Sequence, residues 1–240
     1  MIRIGMLVPA GNPTVEPECY RVAPSGVTVH FSRLGTPGVT GITGGADGME
    51  ARTRAYLDGL PDALSVLRPV EPAVIVLAHT AVSYVSGFGA DDGIVERIRA
   101  LGGAPACTAA GAVTAAFAHL GVKRIALGTP YPASISALGR AFWEASGLAV
   151  VGYHRLEDVK NIYDETEAST RTVARRANTA DADAVFVSGT GLPTVGVIEA
   201  LEAELGKPVI TAVQACMWRA LRLAGYRQPV RGYGRLLENG

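Results

Sequence analysis

The sequence predicts an α/β fold of two pseudo-symmetric lobes, each a mostly parallel sheet flanked by helices, with a ligand cleft between them. Three observations carry this reading. Short Val- and Ile-rich runs bounded by Gly or Pro alternate with helical patterns along the 240 residues, the signature of parallel strands joined by crossover helices. The chain also repeats itself: Ala73-Val74-Ile75-Val76-Leu77-Ala78-His79-Thr80 and Ala184-Val185-Phe186-Val187-Ser188-Gly189-Thr190-Gly191 are both apolar runs that break into small polar residues. An earlier pair, Ile4-Gly5-Met6-Leu7-Val8-Pro9 and Ile125-Ala126-Leu127-Gly128-Thr129-Pro130, has the same relationship. Each half thus brings a buried strand and its carboxyl-end loop to one place, which is where ligands of open α/β sheets bind.

In chain order, strands are predicted near 2–8, 27–33, 73–78, 123–128, 148–153, 183–188 and 208–212. Helices are predicted near 48–67, 91–101, 107–119, 133–146, 165–178, 194–205 and 214–224. The opening run Met1 to Pro9 is too short for a signal-peptide core and has no small-residue cleavage site behind it, so it reads as the first strand. Asn12-Pro13 reads as a turn, with Thr14 capping a short helix whose first turn holds Glu16 and Glu18. The alternative is that Asn12 offers its side-chain amide to a ligand. Segment 35–45 is too glycine-rich for regular structure and reads as a mobile loop able to cover a site. Gly121, Gly147 and Gly206 follow helical patterns as helix-ending glycines do. The second repeat closes near 210, leaving a C-terminal surplus that is expected to cross back to the first half. The expected lobes are therefore 1–115 with 215–240, and 118–212, hinged at two crossings near 115–121 and 211–215.

Composition narrows the function. Lys plus Arg and Asp plus Glu are 22 each, so the basic stripe that nucleic-acid binding needs is lacking. No apolar run approaches the roughly 20 residues of a membrane span, and a cytoplasmic location is the expectation. Cys19, Cys107 and Cys216 lack the C-x-x-C spacing of zinc or redox sites and read as small buried hydrophobes, so neither a metal nor a disulfide is expected. Gly87-Phe88-Gly89 and Gly189-Thr190-Gly191 do not continue as a dinucleotide fingerprint, and no Walker-type lysine follows a glycine loop, so no nucleotide cofactor is expected.

Four strand ends carry candidate chemistry: Asn12 and its neighbours, His79-Thr80-Ala81, Thr129-Pro130-Tyr131 and Gly189-Thr190-Gly191. Their backbone amides, hydroxyls, phenol and carboxamide form a set suited to a carboxylate or a developing oxyanion. Of the four histidines, His79 is the one at a predicted strand end, where an imidazole is well placed to exchange protons. His30, His119 and His154 read as structural. Residues that would set substrate size are expected in segment 35–45 and around Tyr84 and Phe88.

These residues resemble the aspartate/glutamate racemase superfamily, in particular its branch of maleate cis-trans isomerases and arylmalonate decarboxylases. Ile4-Gly5-Met6-Leu7-Val8-Pro9 with Asn12-Pro13-Thr14-Val15-Glu16 is similar to the isomerases' I-G-x-x-V-P-S-x-N-T-T-x-E. Gly121-Val122-Lys123-Arg124-Ile125-Ala126-Leu127-Gly128-Thr129-Pro130-Tyr131 resembles their central G-V-x-R-[IV]-A-x-x-[ST]-x-Y. Arg222-Leu223-Ala224-Gly225 and Gly232-Tyr233-Gly234-Arg235-Leu236-Leu237 resemble the decarboxylases' R-L-A-G and G-F-G-R-L.

The resemblance implies cofactor-free chemistry at the carbon next to a carboxylate. It also implies that Asn12, Tyr131 and Asn161 grip substrate, and that Thr80, Tyr131 and Thr190 face the oxyanion, with Ala81, Gly189 and Gly191 in the same binding turns. The family's two cysteine positions read His79 and Gly189 here. Without those thiols, thiolate addition to an alkene and two-base racemisation are disfavoured, while one-sided proton transfer through His79 survives. The expectation is a lyase or isomerase of small (di)carboxylic acids acting through an enolate-like intermediate, with decarboxylation favoured and His79, Tyr131 and Thr190 catalytic. The alternatives are a hydrolase or hydratase using His79-activated water, a maleate-type cis-trans isomerase, and a non-catalytic carboxylate-binding protein. The expected partner is a small carboxylate, with association into a homo-oligomer implied by the resemblance alone.

Overall fold

The run Ile2–Pro9 forms β1, buried from Ile4 onward and paired on both sides. Its near-continuous apolar sequence follows from that position, since a central parallel strand is covered on both faces. In the computed structural model, which describes residues 1–38 and 48–239, it is followed by α1 (Val15–Val22), β2 (Val27–Leu34), α2 (Met49–Asp58), α3 (Leu60–Leu67), β3 (Val74–Leu77), α4 (Thr80–Ser86), α5 (Asp91–Gly102), β4 (Ala106–Thr108) and α6 (Ala109–Leu120). The second half comprises β5 (Arg124–Thr129), α7 (Ala133–Ala145), β6 (Ala149–Arg155), α8 (Glu167–Ala177), β7 (Ala184–Val187), α9 (Ile198–Leu205), β8 (Val209–Thr211), α10 (Ala212–Leu223) and α11 (Arg235–Glu238).

The strands form two four-stranded parallel sheets of orders β2-β1-β3-β4 and β6-β5-β7-β8. The second order is the first advanced by four strands, so the internal repeat is a repeat of topology. Each sheet is flanked by helices, giving the two-lobed α/β architecture. Helix α10 lies against α6, α1 and β3, which ties the end of the chain to elements of the first half.

Local differences from the sequence reading have identifiable causes. The start of the helix predicted at 107–119 is instead the three-residue strand β4, which runs directly into α6, whose N-cap Thr108 accepts the Gly111 amide. The predicted helix at 48–67 is two helices parted at Gly59, where a Cβ would lie 2.6 Å from the Gly35 carbonyl oxygen, and Pro61 opens the second. Helix α4 was not predicted. Residues 195–197 are turn, and the helix there begins at Ile198. Of the glycine-rich segment 35–45 expected to be mobile, 39–45 lie outside the described residues.

All three cysteines are buried and free. Among the described residues, no helix is long and apolar enough to cross a membrane, and no cluster of potential metal ligands occurs.

Candidate functional site

A pocket with about 350 Å³ of empty space, the open solvent at its mouth included, lies between the strand ends of the two sheets. The first half supplies Asn12, His79 and one face of α2, and the second supplies Tyr131, Ile162, Tyr163, Thr190 and Gly191. It therefore brings together five of the residues expected at the site: Asn12, His79, Tyr131, Thr190 and Gly191. Thr80, Ala81, Gly189 and Asn161 do not line it.

Thr80 is fully buried behind the wall, where its hydroxyl sits 2.8 Å from Tyr131 Oη. Ala81 is also buried, and its amide holds the same phenol. Gly189 adopts a φ of +95°, and a Cβ there would lie 3.3 Å from Tyr131 Oη, so the lack of a side chain leaves room for the phenol. Asn161 caps a turn of 3-10 helix at Ile162–Asp164 by accepting the Tyr163 amide through Oδ1, 3.1 Å away. It positions Tyr163 and does not itself face the cavity.

The wall is pinned by hydrogen bonds between the halves. Asn12 Nδ2 donates to the Thr190 carbonyl (3.2 Å) while Asn12 Oδ1 accepts the amides of Thr14 and Val15. The helix cap expected of Thr14 is thus made by Asn12, and the Thr14 hydroxyl donates instead to the Gly191 carbonyl at 3.0 Å. The Thr190 hydroxyl donates to the Ala78 carbonyl at 2.9 Å. Its proton is therefore spent between the halves, which corrects the expectation of a hydroxyl donor to substrate. The amides of Thr190 and Gly191 make no backbone–backbone hydrogen bond among the described residues, leaving Thr190 its amide as the group to offer an anion.

His79 sits in extended backbone at the N-cap of α4 and is 6% exposed. Burial pushes its imidazole down to about 4, so the ring is neutral at pH 7. Nδ1 is buried with no hydrogen-bond partner among the described residues, an uncommon arrangement for a polar atom in a folded interior. The Tyr56 ring meets the imidazole edge to face at 5.2 Å, fixing its plane. Burial raises the Tyr131 phenol well above its ordinary value, outweighing the bonds from Thr80 and the Ala81 amide. Tyr131 thus remains an O–H donor at any working pH.

Tyr84 and Phe88 do not set the size of the cavity. Tyr84 is buried among Tyr131, Phe142 and Trp143, bonded to Ser188 Oγ and Trp143 Nε1, while Phe88 packs on Phe142 with 59% of its surface exposed. The outer wall is instead the α2 stripe Met49, Arg52, Thr53 and Tyr56, faced by Ile162 and Tyr163. Sequence reasoning missed this stripe. Its signal was available, since these positions follow i, i+3, i+4, i+7 spacing on a predicted helix yet carry an Arg and a Thr where a core-facing helix would be apolar.

The model of the arylmalonate decarboxylase family matches residues 4–237. An arylmalonate decarboxylase of Bordetella bronchiseptica is 30% identical over 98% of this chain and 96% of its own length. A maleate isomerase of Nocardia farcinica is 28% identical over 98% and 95% of the two chains. Among solved structures, a liganded double mutant of arylmalonate decarboxylase superposes with a TM-score of 0.86 at 27% identity, covering 100% of both chains. A mutant maleate isomerase of Pseudomonas putida with maleate gives 0.88 at 26%, covering 99% and 97%. The chain is an enzyme of the decarboxylase and isomerase kind within the aspartate/glutamate racemase superfamily, and it belongs to the arylmalonate decarboxylase family.

Proposed function

We propose that this enzyme transfers a single proton at the carbon next to a carboxylate of a small acid, without a cofactor, and that decarboxylation is its reaction. The observation that carries this reading is His79, whose Nδ1 is buried without a hydrogen-bond partner among the described residues and whose side chain lines one cavity with Asn12, Tyr131, Thr190 and Gly191. The carboxylate that remains is held by the Tyr131 hydroxyl, the Asn12 carboxamide and the amides of Thr190 and Gly191. As the bond to the departing carboxylate breaks, its electron pair is delocalised into that retained carboxylate as an enediolate, which these donors stabilise by roughly 3 kcal/mol each. His79 then gives a proton to carbon. It is neutral in the empty site, and the negative charge of a bound acid raises its proton affinity so that the proton is taken up with substrate. We take the lobes that form the cleft to be 1–115 with 215–240, and 118–212.

The test is incubation with small malonate-type and unsaturated dicarboxylic acids in deuterated water. Loss of carbon dioxide with one deuterium placed on a single face supports the reading. Isomerisation at constant mass, or gain of water, assigns one of the alternatives. His79→Ala is expected to lower kcat by about 10² to 10⁴-fold with the fold intact. Unchanged turnover in that variant overturns the role of His79.

A further inference from the structure

Tyr84 is the node of a buried network that ends at Tyr131. Thr80 and Tyr84 stand four residues apart on α4, so their side chains share one face of the helix. Tyr84 Oη lies 2.8 Å from Ser188 Oγ, just past β7, and 3.0 Å from Trp143 Nε1 on α7. Burial raises the Tyr84 phenol well above its ordinary value, and hydrogen bonds with the Ser188, Trp143 and Thr80 side chains oppose that without overcoming it, so Tyr84 keeps its proton. Thr80 Oγ1 in turn lies 2.8 Å from Tyr131 Oη, which also accepts the Ala81 amide. Ser188, Tyr84, Thr80 and Tyr131 are all buried, so the wall holds four hydroxyls joined in a row.

Their protons have one order that leaves none stranded. Trp143 Nε1 is a donor only, so Tyr84 Oη accepts from it. With Ser188 donating to Tyr84, Tyr84 to Thr80 and Thr80 to Tyr131, each proton has an acceptor except that of Tyr131, which lines the cavity where a ligand supplies one. Any other order strands a proton inside the wall. In the reverse order it is that of Ser188, for which Tyr84 is the side-chain partner found among the described residues. A buried donor without an acceptor costs roughly 1–3 kcal/mol.

We propose that Ser188, Tyr84 and Thr80 form a one-way relay of hydroxyls, joined by the Trp143 indole, that turns the Tyr131 proton into the cavity and makes Tyr84 a positioning residue for the reaction. Each link polarises the next, so the proton is aimed before substrate arrives, as a donor to a developing enediolate must be. This rests on the reading of Tyr131 as a donor to that charge and adds the residues that aim it.

Exchange of tyrosine hydroxyl protons with water is followed by nuclear magnetic resonance on wild-type protein labelled with carbon-13 at tyrosine Cζ, whose signal shifts when the hydroxyl is deuterated. Tyr84 and Tyr131 are assigned by comparison with Tyr84→Phe and Tyr131→Phe. The Tyr84 hydroxyl is expected to exchange slowly and that of Tyr131 faster. A Tyr131 hydroxyl as protected as that of Tyr84 means that its proton points inward and overturns the relay. On the acid that the enzyme converts, Tyr84→Phe is expected to lower kcat/KM about tenfold. In a Tyr131→Phe background the same change is expected to act within about twofold, because it works through that phenol. Ser188→Ala is expected to cost less than Tyr84→Phe, since Trp143 still donates to Tyr84 Oη. Unchanged kcat/KM in Tyr84→Phe, or equal losses in the two backgrounds as a merely structural role would give, overturns the proposal. Circular dichroism and melting temperature establish that each variant is folded. Should Tyr84→Phe not fold, Tyr84 is assigned from the signal that Ser188→Ala displaces, and the wild-type exchange rates decide. The two proposals fail separately: the expected exchange pattern without loss of carbon dioxide removes the decarboxylation reading alone, whereas turnover abolished in His79→Ala beside a Tyr131 proton turned inward removes the relay alone.

Discussion

Thr80 Oγ1 lies 2.8 Å from Tyr131 Oη, joining the residues that follow β3 in one sheet and β5 in the other. The bond crosses between the halves and fixes the direction of the phenol that faces the cavity. Tyr131→Phe removes the O–H donor while keeping the ring, so kcat/KM on the true substrate is expected to fall about 10² to 10³-fold. Thr80→Val acts only through the phenol's orientation and is expected to cost less. Steady-state kinetics of both variants, read beside their melting temperatures, check the order. Equal losses would mean that Thr80 itself meets the substrate.

Which parts of this molecule were legible in the sequence follows from where the determining forces lie. The central strands were readable because burial on both faces makes them apolar throughout, as in Val74–Leu77 and Ala184–Val187. The repeat then located the strand ends, and with them Asn12, His79, Tyr131 and Thr190. What was not readable was set by contacts distant in sequence. The break at Gly59 exists because Gly35 approaches it, and the Thr190 hydroxyl is taken up by Ala78 of the other half. Arg52 reaches the cavity only because α2 packs on α4, the helix that begins beside His79.

Gly189 holds a φ of +95°, and a Cβ on it would sit 3.1 Å from Pro130 Cγ and 3.3 Å from Tyr131 Oη. Gly189→Ala therefore combines backbone strain with displacement of the phenol. A loss of about 1–3 kcal/mol in urea unfolding is expected, with kcat/KM reduced alongside it. An alanine variant as stable as the wild type would show that the turn relaxes into another conformation at little cost.

Glu18 is 4% exposed on α1 and accepts the amides of Thr194 and Val195 and the Thr194 hydroxyl from the other half. Burial is the largest influence on it, outweighing those donors and the Arg21 charge, and pushes the carboxyl from 4.5 up to about 7. The folded chain therefore holds this proton more tightly than the unfolded chain. The resulting stability is complete below pH 4.5 and is lost as the pH rises through 7, a fall of roughly 3 kcal/mol. Glu18→Gln keeps both amide bonds through Oε1, and its Nε2 donates to Thr194 Oγ1, whose own proton then turns to Thr211 Oγ1, 3.1 Å away. The variant is expected to lose the pH slope and to match or exceed the wild type at pH 8. Urea midpoints measured at about pH 5 and pH 8, on either side of most of the transition, decide it. A wild type without the slope, paired with a glutamine variant weakened at pH 8, would mean that the three donors hold the carboxylate ionised in the folded protein.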